Sequence, residues 1–171
     1  MDLREFIREI PDFPEPGIIF RDITPLLLNP AAARQATDEM VEFGRKLDVD
    51  IVVAAEARGF ILGGAIAQGL DAGFVPARKP GRLPAETVSV QYELEYGLDE
   101  LEVHADAFAA GARVLIHDDL IATGGTAEAT IEVVEGLGGV VVGCAVLVEL
   151  AALGGRRKIS PHALHAVISY D

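Results

Sequence analysis

Hydrophobic residues in this chain switch between two spacings, and the switches mark its elements. Residues 87–96 (TVSVQYELEY) alternate strictly, with Val88, Val90, Tyr92, Leu94 and Tyr96 opposite Thr87, Ser89, Gln91, Glu93 and Glu95. That period of two predicts a half-buried strand, and Gly97 followed by Leu101 and Val103 predicts an antiparallel return. Residues 30–47 instead place Ala36, Met40, Phe43 and Leu47 on one stripe, with Pro30 near the first turn, and predict a helix. Short apolar runs at 50–55, 73–77, 114–116, 140–148 and 164–168 predict buried strands. Between them, residues 59–70 are apolar nearly all round and predict a buried helix. Residues 126–137 turn Ala127, Ile131, Val134 and Leu137 inward and predict another. The opening LREFIREI predicts a short amphipathic helix. PDFPEPGIIFRDITP is too proline-rich for long regular structure, yet its apolar content suits a loop that covers something.

Strands alternating with helices imply an α/β fold, a mainly parallel twisted sheet flanked by helices on both faces. The hairpin within 79–104 is an excursion from that sheet, and an excursion at its carboxyl edge reads as a flexible lid. The whole chain, 1–171, is expected to form one domain, with 1–29 as an N-terminal segment over the sheet.

Composition narrows the field. No run reaches the roughly 18 apolar residues of a membrane span, and the N-terminus lacks the basic-then-apolar layout of a signal peptide. The single cysteine, Cys144, lies in the apolar run VVVGCAVLV and is expected as a buried thiol. A cytoplasmic location is therefore expected. With 14 basic and 27 acidic residues the net charge is −13, which argues against a nucleic-acid partner. A polyphosphate ligand would need the few basic residues gathered in one place.

The candidate chemistry lies in VLIHDDLIATGGT, residues 114–126. An apolar strand runs into Asp118 and Asp119, then into Ala122, Thr123, Gly124, Gly125 and Thr126, then into a helix. Glycines let the backbone approach a ligand, and amides at a helix N-terminus suit a phosphate. Two carboxylates would repel that phosphate at close range. One ribose away they can accept hydrogen bonds from vicinal hydroxyls and attract Mg²⁺. The plainer alternative is a strand–turn–helix corner with solvated aspartates. His104, His117, His162 and His165 have no zinc-ligand spacing, and His117 reads as a hydrogen-bonded strand residue.

This stretch resembles the phosphoribosyl pyrophosphate motif of the type I phosphoribosyltransferases. Four further blocks and the hood segment (PDFPEPGIIFRDITPLL, EARGF, RKPGRLP, YELEYG and VELAALGGR) are similar, in order, to segments of the family members that act on adenine. His117 departs from the pattern, standing where the family usually has an aliphatic residue.

The resemblance implies a purine-salvage glycosyltransferase that converts adenine and phosphoribosyl pyrophosphate to AMP and pyrophosphate. It implies Mg²⁺ carried by the substrate near Asp118 and Asp119, with no direct protein ligand, and a homodimer. It assigns the 5-phosphate to residues 122–126, the ribose to Asp118 and Asp119, and pyrophosphate to Arg58, Arg78, Lys79 and Arg82. Glu95 and Tyr96 become a proton acceptor or relay and a cover at the hairpin tip, although strand alternation alone also explains an exposed Glu and a packed Tyr. The segment 1–29 becomes a base-binding hood, in which backbone groups of Ile19 and Arg21 read the adenine edge and Phe20 and Ile23 give apolar contact. Two other readings stay open: the same reaction with another purine base, and a non-catalytic nucleotide sensor.

Overall fold

A computed structural model describes residues 1–94 and 97–171. One turn of 3-10 helix, Leu3–Phe6, leads into the antiparallel pair β1 (Arg8–Pro11) and β2 (Ile19–Asp22). The amphipathic helix expected at the start therefore stops after a turn. Residues 8–11 pair with β2 instead, and Pro11 has no amide to prolong a helix. Two helices follow, α1 (Thr24–Leu28) and α2 (Pro30–Arg45). Asn29 caps α2 by accepting from the amides of Ala31 and Ala32 at 3.0 and 3.1 Å.

Strand–helix alternation then runs as the periodicities predict. It comprises β3 (Ile51–Ala55), α3 (Gly59–Leu70), β4 (Gly73–Ala77), the hairpin β5 (Thr87–Leu94) and β6 (Gly97–His104), and β7 (Arg113–Ile121). It closes with α4 (Gly125–Gly136), β8 (Val140–Leu150), the short α5 (Gly155–Lys158) and β9 (Leu164–Tyr170). The five-stranded sheet has the order β4-β3-β7-β8-β9, and every pair is parallel. Its two faces bury separate layers. Met40, Ile66, Leu115 and Leu147 fill the side under α2 and α3, and Val53, Ile116, Val134 and Val146 fill the side under α4. Neighbouring residues of one strand, such as Leu115 and Ile116, go to opposite layers, as the two-residue period requires.

Two expectations change. β7 runs on to Ile121, because Leu120 and Ile121 keep pairing with Val148 and Glu149 of β8, so the aspartates belong to the strand rather than follow it. α3 is not buried all round. Ile61 is 52% exposed, and Phe74 of the adjoining β4 is 38% exposed.

Topology positions the site. From β3 the chain crosses through α3 to β4 on one side, while β7 lies on the other. The carboxyl ends of β3 and β7 therefore sit side by side where the winding reverses, and such a reversal opens a crevice beyond the strand ends. Leu147, fully buried in β8 between β7 and β9, tests the core. Leu147→Ala should cost about 2–5 kcal/mol, read as a lower denaturation midpoint at unchanged slope.

Candidate active site

A cavity of ≈390 Å³ occupies that crevice. Its floor is the turn from β7 into α4. Gly124 takes a left-handed conformation (φ +88°) and α4 begins at Gly125. A second glycine turn backs it. The Gly155 amide donates to the Ala122 carbonyl at 3.1 Å, and a Cβ on Gly155 would lie 2.5 Å from that oxygen. Conversely, a Cβ on Gly124 would lie 2.9 Å from the Gly155 carbonyl. The backing turn is pinned by Arg156, which donates to both oxygens of the buried Glu149 at 2.9 and 2.6 Å and to the Leu164 carbonyl at 2.8 Å. Residues 122–126 all line the cavity, with the first amides of α4 free to meet an anion.

Asp118 and Asp119 form the adjoining wall. Burial, and then the neighbouring Asp119 carboxylate, pushes the Asp118 carboxyl well above the ordinary range. Asp119 is buried, and its Oδ2 lies 2.9 Å from Arg58 Nε. The N–H does not aim at that oxygen, so the contact is an ion pair and leaves Oδ2 without a hydrogen bond. Arg58 comes from the turn between β3 and α3, and its guanidinium also lies 5.2 Å above the Phe20 ring. The peptide bond before this turn, Glu56–Ala57, is cis.

The basic segment divides. Lys79 lines the cavity. Arg78 and Arg82 do not; Arg78 Nε donates to Glu56 Oε1 at 3.2 Å and its Nη1 to the Arg82 carbonyl at 3.4 Å. The Lys79 amide donates to the same Glu56 oxygen at 2.7 Å. Lys79 Nζ is paired with Asp99 of β6.

Beside the cavity, and sharing Arg58 with it, is an apolar pocket of ≈350 Å³ under the β1–β2 hairpin. Phe20 and Ile23 line it, and Phe13 meets Phe20 edge-on at 5.2 Å between ring centroids. Ile23 is otherwise core, at 2% exposure. Ile19 and Arg21 sit two residues apart on β2, so their backbone polar groups point the same way. The Arg21 side chain is held between Glu9 and the Tyr170 ring. Glu95 and Tyr96 lie outside the described residues.

His117 turns away from the cavity. Its Nδ1 donates to the Ala145 carbonyl at 2.8 Å, and a Cβ on Gly63 of α3 would lie 3.4 Å from its Cδ2. Nε2 is buried without a partner, and burial pushes the pKa down to about 4. Sequence reasoning missed Glu56, Asp99, Tyr92 and the Glu149–Arg156 lock. Glu56 stood within EARGF as a visible signal, whereas Asp99 had none beyond its place in a strand.

Fold and cavity together define a phosphoribosyltransferase. The family model "Phosphoribosyl transferase domain" matches residues 26–165. An adenine phosphoribosyltransferase of Thermotoga petrophila is 55% identical over 170 residues, covering 99% of this chain and 100% of the relative. The crystal structure of the Thermoanaerobacter pseudethanolicus enzyme of that name superposes with TM-score 0.96 at 47% identity, over 99% of this chain and 98% of that one. The Saccharomyces cerevisiae enzyme, crystallised with adenine and an imino-altritol bisphosphate, gives 0.91 at 37% identity, over 97% and 96%. This chain belongs to the adenine phosphoribosyltransferase family.

Two expectations test the geometry. Gly124→Ala should destabilise the protein by about 1–3 kcal/mol and weaken binding of ribose 5-phosphate, checked by calorimetry. The second concerns pH. His117 has a lower pKa folded than unfolded, so the unfolded chain binds its proton first. Stability from a neutral His117 is present above the unfolded pKa near ~6.5 and falls as pH drops toward about 4. His117→Leu should abolish roughly 3 kcal/mol of that loss, seen as a flatter melting temperature between those pH values.

Proposed function

We propose that the protein transfers the 5-phosphoribosyl group of phosphoribosyl pyrophosphate to adenine, releasing AMP and pyrophosphate in purine salvage. The observation that carries this is one cavity joining a glycine cradle, an acidic pair and Lys79, with an apolar pocket sharing Arg58. That order of chemistry matches phosphate, ribose, pyrophosphate and base.

In this reading the amides of residues 122–126 hold the 5-phosphate, and Asp118 and Asp119 accept from the ribose hydroxyls. The bond from ribose C1 to pyrophosphate lengthens, and its electron pair leaves with the pyrophosphate. Adenine N9 forms a bond to C1 from the opposite face and loses its proton. The anomeric centre inverts and no covalent enzyme intermediate is needed. Arg58 and Lys79 stabilise charge that builds on the leaving oxygen, so positioning and electrostatics supply most of the acceleration. Arg78 and Arg82 add to the positive potential from just outside the wall. Phe20 and Ile23 cover the base, and the backbone of Ile19 and Arg21 reads its edge.

Mg²⁺ suits this site. Two adjacent carboxylates offer hard oxygens, and no group of three or more His, Cys, Asp or Glu converges among the described residues. The ion would reach the site on substrate oxygens and water, beside Asp118 and Asp119, and would neutralise the pyrophosphate. The 79–104 hairpin is read as a lid over one domain spanning 1–171, with residues 1–29 as the hood, and Glu95 and Tyr96 as its proton acceptor and cover. A homodimer is part of this reading, and Phe74 of β4, exposed beside α3, is an apolar group that such an interface would cover. No helix among the described residues is long and apolar enough to cross a membrane. A cytoplasmic enzyme with no nucleic-acid or membrane partner remains the proposal, resting on the lone buried thiol of Cys144 and the net charge of −13.

The test is AMP formation from adenine and phosphoribosyl pyrophosphate with Mg²⁺. Asp119→Asn should lower kcat by roughly 100-fold while circular dichroism stays native. Unchanged kcat in that variant would remove Asp119 from the mechanism.

A further inference from the structure

In this cavity cations are already paired before any ligand arrives. Arg58 meets Asp119, and Lys79 meets Asp99. The two pairs differ in origin. Asp119 lies on β7 of the sheet, whereas Asp99 is carried on β6 of the hairpin.

Asp99 is held in place on both oxygens. Its Oδ2 takes the Lys79 ammonium and a hydrogen bond from Tyr92 Oη at 3.1 Å. Its Oδ1 accepts from the Glu100 amide at 2.9 Å. Tyr92 is 8% exposed and packs toward the cradle, where a Cβ on Gly125 would lie 3.6 Å from its Cδ2. Burial opposes the charged carboxylate, but the bonds from Lys79 and the Glu100 amide, with the Lys79 charge, hold Asp99 below the ordinary range. It therefore stays ionised through neutral pH. Both Lys79 and Asp99 line the cavity wall. A phosphate oxygen approaching Lys79 must either displace this carboxylate or lie beside it, and both oppose binding.

We propose that Asp99 is a resident counter-ion of Lys79, oriented by Tyr92, which pyrophosphate must displace, so that its carboxylate weakens the hold on the departing product. This rests on the reading that Lys79 serves pyrophosphate. Asp99 is a positioning residue here, acting through Lys79. Release of Lys79 to the product also breaks the ion pair between the hairpin and the segment after β4.

The sign of the effect separates this role from a structural one. Titration of magnesium pyrophosphate into the full-length protein should show Asp99→Asn binding roughly 3- to 10-fold more tightly than wild type. Tyr92→Phe, which keeps the ring packing, should shift affinity the same way by less. In a Lys79→Met background, Asp99→Asn should change affinity by less than about 2-fold. Weaker pyrophosphate binding in both Asp99→Asn and Tyr92→Phe would overturn the proposal. So would equal tightening with and without Lys79, which would mark a general charge effect. Wild-type AMP formation is scored separately. Its absence would defeat the underlying reading, whereas its presence with an unmoved Asp99→Asn affinity would defeat the counter-ion alone.

Discussion

Asp118 and Asp119 stand side by side at the end of a buried strand, and Arg58 makes that tolerable. Two adjacent carboxylates, one buried and one partly so, repel each other and lose hydration, which is costly in a low-dielectric interior. The structure answers in two ways. Arg58 lies 2.9 Å from Asp119, and burial with that neighbour's charge drives Asp118 toward its protonated form. Arg58 comes from the turn after β3, so the pairing requires β3 and β7 to be neighbours. The sheet order supplies this at the place where the winding reverses. The same guanidinium sits over Phe20 of β2. One side chain thus ties the acidic wall of the cavity to the apolar pocket and to the sheet.

The charge of the whole chain gives this arrangement its character. At −13, the protein is a poor environment for a polyanion except where cations gather. Arg58 and Lys79 gather at the cavity, and each is balanced there by a carboxylate. Arg78 is balanced by Glu56 in the same way, just outside the wall. Under the proposed reading, a site built so would bind its anion through exchange rather than through bare attraction. Such exchange would limit affinity and favour turnover, because a product held by unopposed cations would leave slowly.

Much of the fold was legible because its strands and helices have clean periods. The bounds of α3 and β4 follow directly from apolar runs ended by Asp71 and Arg78. The first ten residues misled because the helical period of LREFIREI competes with pairing to β2, a contact that sequence spacing does not reveal. The open face of α3 misled for a related reason. Glycine and alanine count as apolar in a pattern, yet Gly64 and Ala65 leave little surface to bury and Ile61 stays exposed beside them. In the site, the cradle and the aspartates were legible because one contiguous segment carries them. Asp99 and Tyr92 were not, because their roles arise only when the hairpin meets the segment after β4, and the bonds of Glu56 arise only where the turn after β3 meets that same segment. The Glu149–Arg156 lock behind the cradle hid for the same reason. His117 looked suggestive beside two aspartates, but its ring is buried against α3 and bonded to the Ala145 carbonyl, inside the sheet rather than at the strand end where the cavity opens.

The central claim is that this cavity and its hood together select one base for one sugar phosphate. A competition assay tests it most directly. Adenine, hypoxanthine, guanine and xanthine are supplied together at equal concentration, with phosphoribosyl pyrophosphate and Mg²⁺, and the nucleotide products are separated. The account predicts AMP alone with stoichiometric pyrophosphate. IMP, GMP or XMP in comparable amount would contradict the role given to residues 19–23, and no nucleotide at all would contradict the reaction.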